Sequence, residues 1–120
     1  MENILSSIKQ MLNVEQSITA FDNELIMFIN SAIAELIQGG VGPQSGLDVT
    51  AETSWSAFSD NSNIVSYSKQ YVYCKTRLLW DPPTNSFIVN SFNEQAKESY
   101  WRAYLEADEI RRKEADHGDN

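Results

Sequence analysis

Apolar residues recur along this chain in four blocks at helical spacing. Ile4, Leu5, Ile8, Met11 and Leu12 form one stripe, which predicts a helix from about Glu2 to Asn13, with Asn13 as its stop. Leu25, Ile29, Ile33 and Leu36 or Ile37 repeat at three and four residues and predict a second helix. Asp22 reads as its N-cap, Asp22 and Glu24 suit the positive end of the helix dipole, Gly39 or Gly40 supplies a left-handed stop, and Pro43 blocks continuation. Residues 40–51 read as a loop, and a cap at Thr53 or Ser54 opens a turn or two around Trp55 and Phe58. The third block holds Ile64, Val65, Tyr67, Tyr71, Val72, Cys74, Leu78 and Leu79. Its first half alone has the alternation of a strand, but the pattern runs on without a turn signal to Asp81-Pro82-Pro83, which predicts a helix from Ser62 to Trp80. Asn85 or Ser86 caps a last helix, in which Ile88, Phe92, Ala96, Trp101, Tyr104 and Leu105 share a face.

The reading is an all-α fold: a small bundle of four main helices plus one short helix, a long loop after the second helix, and an extended C-terminal helix. Residues 1–105 read as the helical domain and residues 106–120 as a charged C-terminal extension. In that extension Asp108/Arg111, Asp108/Arg112 and Glu109/Lys113 sit three or four apart, each pair supporting a solvated helix by about 0.2–0.5 kcal/mol. Ile110 is its one large apolar residue. Such a helix is weakly held by its own domain, and either frays in solution or docks onto something else.

Length changes the picture little: 120 residues make one domain. Charge changes it more. Nine Lys and Arg stand against seventeen Asp and Glu, a net charge of -8, which disfavours a basic nucleic-acid binder. The single cysteine, Cys74, excludes an internal disulfide and suits a reducing compartment. The single histidine, His117, stands in a terminal run, so neither a Ser-His-Asp arrangement nor a zinc site is expected. Gly39-Gly40-Val41-Gly42 is not followed by Lys-Ser/Thr, as a phosphate loop would be. No catalytic, cofactor or metal site is expected, and the chain reads as no enzyme. No apolar run approaches the roughly 18–20 residues of a membrane span. The first residues lack the order of a signal peptide, so the expectation is a soluble intracellular protein.

The charge is also uneven. Residues 1–66 carry eight acids against Lys9, whereas residues 67–80 carry only Lys69, Lys75 and Arg77. This reads either as a solvated helix face or as a cationic face offered to the acidic half of another copy, a head-to-tail contact that closes a ring or grows a filament. The three tryptophans read either as core or, for Trp80 at the Asp81-Pro82-Pro83 corner where a large ring is hard to bury, as an interface anchor. The expected subunit interface is therefore Lys69, Lys75, Arg77, Trp80, Asp81, Pro82 and Pro83.

Three stretches in this order carry a resemblance. They are Phe21-Asp22-Asn23-Glu24-Leu25-Ile26-Met27-Phe28-Ile29-Asn30-Ser31 with Gly40-Val41-Gly42-Pro43 after it; Tyr71-Val72-Tyr73-Cys74-Lys75-Thr76-Arg77-Leu78-Leu79-Trp80-Asp81-Pro82-Pro83; and the Trp101-Arg102 pair. With the Trp55 turn between the first two, the sequence resembles the small head–tail connector (adaptor) proteins of tailed bacteriophages and prophages, over about residues 3–105. The charged run after Leu105 departs from the pattern, as does Cys74 where a plain aliphatic is expected.

The resemblance implies an all-α subunit of a ring, commonly of about twelve copies, beneath the portal at the capsid vertex. Such a ring lengthens the DNA channel and offers a platform to head-closure (stopper) or tail-completion proteins. The C-terminal segment, here Ile110, Arg111, Arg112 and Lys113, would reach the portal. DNA would pass without sequence-specific binding. The protein would be a virion component of the neck, made in the bacterial host cytoplasm, with no membrane partner. An acidic domain suits a channel wall that repels phosphates, and the long loop would be free for a neighbour. Two other readings stand beside this one. An acidic DNA-mimic inhibitor needs carboxylates densely arrayed on one surface, and here they are scattered. A helical regulatory interaction module needs only the fold.

Overall fold

The computed structural model describes residues 2–118, with side chains to residue 116. Helix α1 (Ile4–Met11) opens at Asn3, whose side chain accepts the Ser6 N–H at 3.0 Å. It closes through Asn13, held at φ 61°, a left-handed conformation that asparagine tolerates. The N–H groups of Asn13 and Val14 return to the carbonyls of Gln10 and Lys9, satisfying the last turn.

Helix α2 (Asp22–Gln38) corrects one expectation. Phe21 occupies the cap position and caps with no side chain, while Asp22 is the first helical residue. The Asp22 carboxylate is taken by Lys9, 2.9 Å away. At the other end Gly40, with φ 89°, lets the Gly40 and Val41 N–H groups reach the carbonyls of Ile37 and Leu36. Val41 and Leu36 are both fully buried behind this turn.

The long segment after Val41 is not free for a neighbour, as the sequence suggested; its own domain holds it. The Asn30 side chain both accepts the Val49 N–H at 2.8 Å and donates to the Val49 carbonyl at 3.0 Å. Asn3 and Ser54 form an antiparallel bridge, flanked by bonds from Ile4 N–H to the Thr53 carbonyl and from Trp55 N–H to the Glu2 carbonyl, both 2.9 Å. A 3₁₀ turn over Trp55–Ala57 then drops the Trp55 indole into the core, where its N–H reaches Ser7 Oγ at 2.8 Å.

Helix α3 (Ser62–Trp80) has the predicted bounds and is capped by Asn61 Oδ1, which accepts the Ile64 N–H at 2.9 Å. Helix α4 (Ser86–Gly118) begins behind Asn85, which accepts the Phe87 N–H at 2.8 Å. α3 is central, with α2 and α4 packed against it, and α1 lies against α2 and α3. The molecule measures 53 × 33 × 19 Å. Its long axis matches the roughly 50 Å that thirty-three helical residues span.

Two packing details were not foreseen. Lys9 is only 2% exposed, and its ammonium spends its three donors on Asp22, the Ile18 carbonyl at 2.6 Å and the Gln16 carbonyl at 3.2 Å. It ties the α1–α2 connection to both helices. α4 runs on past residue 105 as the extended helix expected, but its continuation packs on the domain. Ala107 is buried, Ile110 packs on the core, and Arg111 Nη1 donates to the Gly40 carbonyl at 2.6 Å. The domain therefore holds its terminal helix as far as Arg111.

Candidate assembly surfaces

Lys69, Lys75 and Arg77 do not make a cationic face. At about 100° of rotation per residue they leave α3 in three directions, and each meets a carboxylate of its own chain. Lys69 pairs with Glu2, Lys75 with Glu35 at 3.9 Å, and Arg77 with Asp81 at 3.1 Å. The physical reason is tertiary: Glu2 and Glu35 arrive from the amino terminus and from α2.

The same holds for the whole molecule. Among the described residues, each of the nine Lys and Arg side chains lies within ion-pair distance of an acid of the same chain. Glu15, Glu24, Asp48, Glu52 and Asp60 are exposed and have no such partner among the described residues. The net charge of -8 is thus expressed as unneutralised carboxylates on the surface, with no uncompensated lysine or arginine among the described residues facing them.

The corner after α3 carries several exposed apolar side chains. Trp80 is half-buried, edge-on to the exposed Phe21 ring at 5.7 Å between centroids, and Leu79 beside it is exposed. Asp81 and Pro82 are exposed and Pro83 half-buried. Immediately beyond, Phe87 is 81% exposed, and Ile88 is exposed next to it. Sequence periodicity assigned Ile88 to the helix face of α4 and gave Phe87 no role. Its isolation from the core stripe was the available signal.

A groove of about 780 Å³ runs between α2, α3 and α4. Tyr71 and Tyr100 lie in its wall with ring centroids 5.4 Å apart, and Trp101, 56% exposed, stands at its edge. Burial, and then the neighbouring Glu35, push the Tyr71 phenol above its ordinary range, so it stays a neutral donor. Gly39 leaves room for the Tyr100 side chain against the end of α2: a β-carbon there would fall 1.8 Å from the Tyr100 hydroxyl oxygen. Lys75 also lines this groove, away from Lys69 and Arg77.

Of the four residues expected to reach a partner from the tail, Ile110 and Arg111 lie against the domain. Arg112 and Lys113 are exposed and pair along the helix with Asp108 at 2.8 Å and Glu109 at 3.3 Å. His117 lies outside the described side chains. Cys74 is buried, and burial pushes its thiol up to about 11, which makes it a packing residue rather than a nucleophile at neutral pH.

Among the described residues no cluster of His, Cys, Asp and Glu is arranged to hold a metal ion, and no helix is long and apolar enough to cross a membrane. A protein-family model described as Phage connector protein matches residues 4–110. No curated protein and no solved structure matches the chain. The family match ends at Ile110, where the packing of α4 on the domain also ends within one residue.

Proposed function

This chain belongs to the phage connector protein family, and on that premise we propose that it is one subunit of a ring beneath the portal, through which the DNA passes. The family is one of structural virion proteins at the head–tail junction rather than of enzymes, and its members assemble with portal and tail proteins. The observation that carries the finer reading is the pairing of every lysine and arginine within the subunit, with exposed acids left over. A wall of such subunits sets each cation beside an acid of its own chain and leaves a net negative surface that repels phosphates, so DNA slides without sticking. The ring is built through the Trp80–Pro83 corner, with Lys75 on a neighbour-facing groove. Lys69 and Arg77 act within the subunit, holding Glu2 and Asp81.

The tail beyond Arg111 serves as the portal arm. Arg112 and Lys113 are exposed there, and no packing on the domain holds them. A chain ending at Arg111 keeps Ala107, Ile110 and the Arg111–Gly40 bond, so its helical circular dichroism and melting temperature match the full chain. Capture by immobilised portal protein is lost. Retained capture would place the portal contact on the body of the domain.

A further inference from the structure

We propose that the groove between α2, α3 and α4 is the seat for the amino-terminal tip of α4, Phe87 and Ile88, from the adjacent copy of this chain; this rests on the ring reading and names its central contact. The tip is an apolar knob held ready. Phe87 is 81% exposed and Ile88 46%, yet the backbone beneath them is fixed, because Asn85 Oδ1 accepts the Phe87 N–H at 2.8 Å and the prolines precede it. Little ordering remains to be done when it docks.

The groove is the matching concavity. It holds about 780 Å³ between helices, with Tyr71, Ala96, Tyr100 and Trp101 as apolar lining, and Trp101 is 56% exposed. A subunit cannot fill its own seat. Phe87 and Ile88 stay exposed on the same straight helix whose Asn90, Asn93 and Trp101 line the groove, and a helix cannot fold its own first turn back onto its side. The knob therefore meets the groove only of another copy, and a contact between two unlike patches repeats around a ring.

Charge supports the same occupant. The first turn of α4 carries no acid, so the positive end of a long helix is capped by the neutral Asn85 side chain alone and has no carboxylate beside it. The groove presents Glu35 and Glu94, whose cations stand off at 3.9 Å and 3.6 Å, beyond direct hydrogen-bond reach. Both carboxylates keep acceptor capacity for an incoming helix start. The arrangement also distributes the corner residues sensibly: Pro82 and Pro83 support the knob, and Lys75 lines the hole.

The test places cysteines beside the two halves and leaves the knob intact. Ser86→Cys and Asn93→Cys sit seven residues and about 10 Å apart on one helix, too far for a bond within a subunit. Asn93 lines the groove and both positions are exposed. Particles carrying the double variant, oxidised and run on a denaturing gel, should give a ladder of covalent multimers, with wild-type and single-cysteine particles giving monomer. Adding Phe87→Asp, at an exposed position where folding is unaffected, should abolish the ladder. No ladder from the double variant, or dimers from Ser86→Cys alone, overturns the knob-and-groove contact. If the protein is present in particles at a fixed ratio to the portal while the ladder is missing, only the contact falls. If it is missing from the particles, the ring reading falls with it.

Discussion

Lys9→Met should lower the stability of the domain by about 3 kcal/mol, which for a chain of this size is a drop in melting temperature of about 10 °C. Methionine keeps the aliphatic stem and removes the ammonium alone. What is lost is a charge nearly sealed from water, together with its bonds to Asp22 and to the carbonyls of Gln16 and Ile18. Asp22 is 21% exposed and regains some hydration. That puts the cost at the low end for breaking a buried pair. Lys97→Met is the control, because its pair with Glu94 is open to solvent on both sides and contributes less than about 1 kcal/mol. The Lys9 effect should persist in high salt, since screening acts weakly on buried charges. Denaturant unfolding in low and high salt checks both statements; equal midpoints for Lys9→Met and wild type would show that the ammonium is not a structural tie.

Trp55→Ala should cost about 4 kcal/mol, the range for emptying a large buried aromatic site. The residue closes the core beneath α1, edge-on to Phe58 with ring centroids 5.9 Å apart and bonded to Ser7. It also anchors the bridge between Asn3 and Ser54. Hydrogen exchange should report this locally: the Ile4 and Trp55 amides, which bond across that bridge, lose protection before the amides of α3. Trp55→Phe keeps the bulk and loses the indole bond, at about 1 kcal/mol. A Trp55→Ala variant within about 1 kcal/mol of wild type would return the loop to the role of a free segment.

The helical architecture was legible because it rests on local signals. α3 ends where Asp81-Pro82-Pro83 must end it, Asn13 and Gly40 adopt the left-handed conformations their residue types suit, and the Asp108/Arg112 and Glu109/Lys113 pairs form as their spacing requires. What was not legible is tertiary. Asp22 has the chemistry of a cap, but a cation on another helix competes for its carboxylate and wins. Lys9 falls on the apolar arc of α1, four residues after Leu5 and next to Ile8; that position was the one hint of its burial. The supposed cationic face fails because its neutralising acids lie far away in sequence, with Glu2 sixty-seven residues from Lys69. The charged run after Leu105 looked unsupported because its anchor, the Gly40 carbonyl, is seventy-one residues from Arg111.

These corrections shift the basis of assembly from charge pairing to shape. With every cation of the described residues already paired, subunits have little to gain by exchanging ion pairs. The exposed apolar groups at the α3–α4 corner and the open aromatic groove remain as unmet surface. On the proposed ring reading, an acidic exterior with apolar contact points supplies both cohesion between copies and indifference to the DNA passing through.

The central claim, that this chain is a ring subunit at the head–tail junction, is tested most directly by counting its copies in purified particles with quantitative mass spectrometry. The account predicts about a dozen copies per particle, in fixed ratio to the portal protein. Particles that lack the protein while infected cells contain it in abundance would contradict the account.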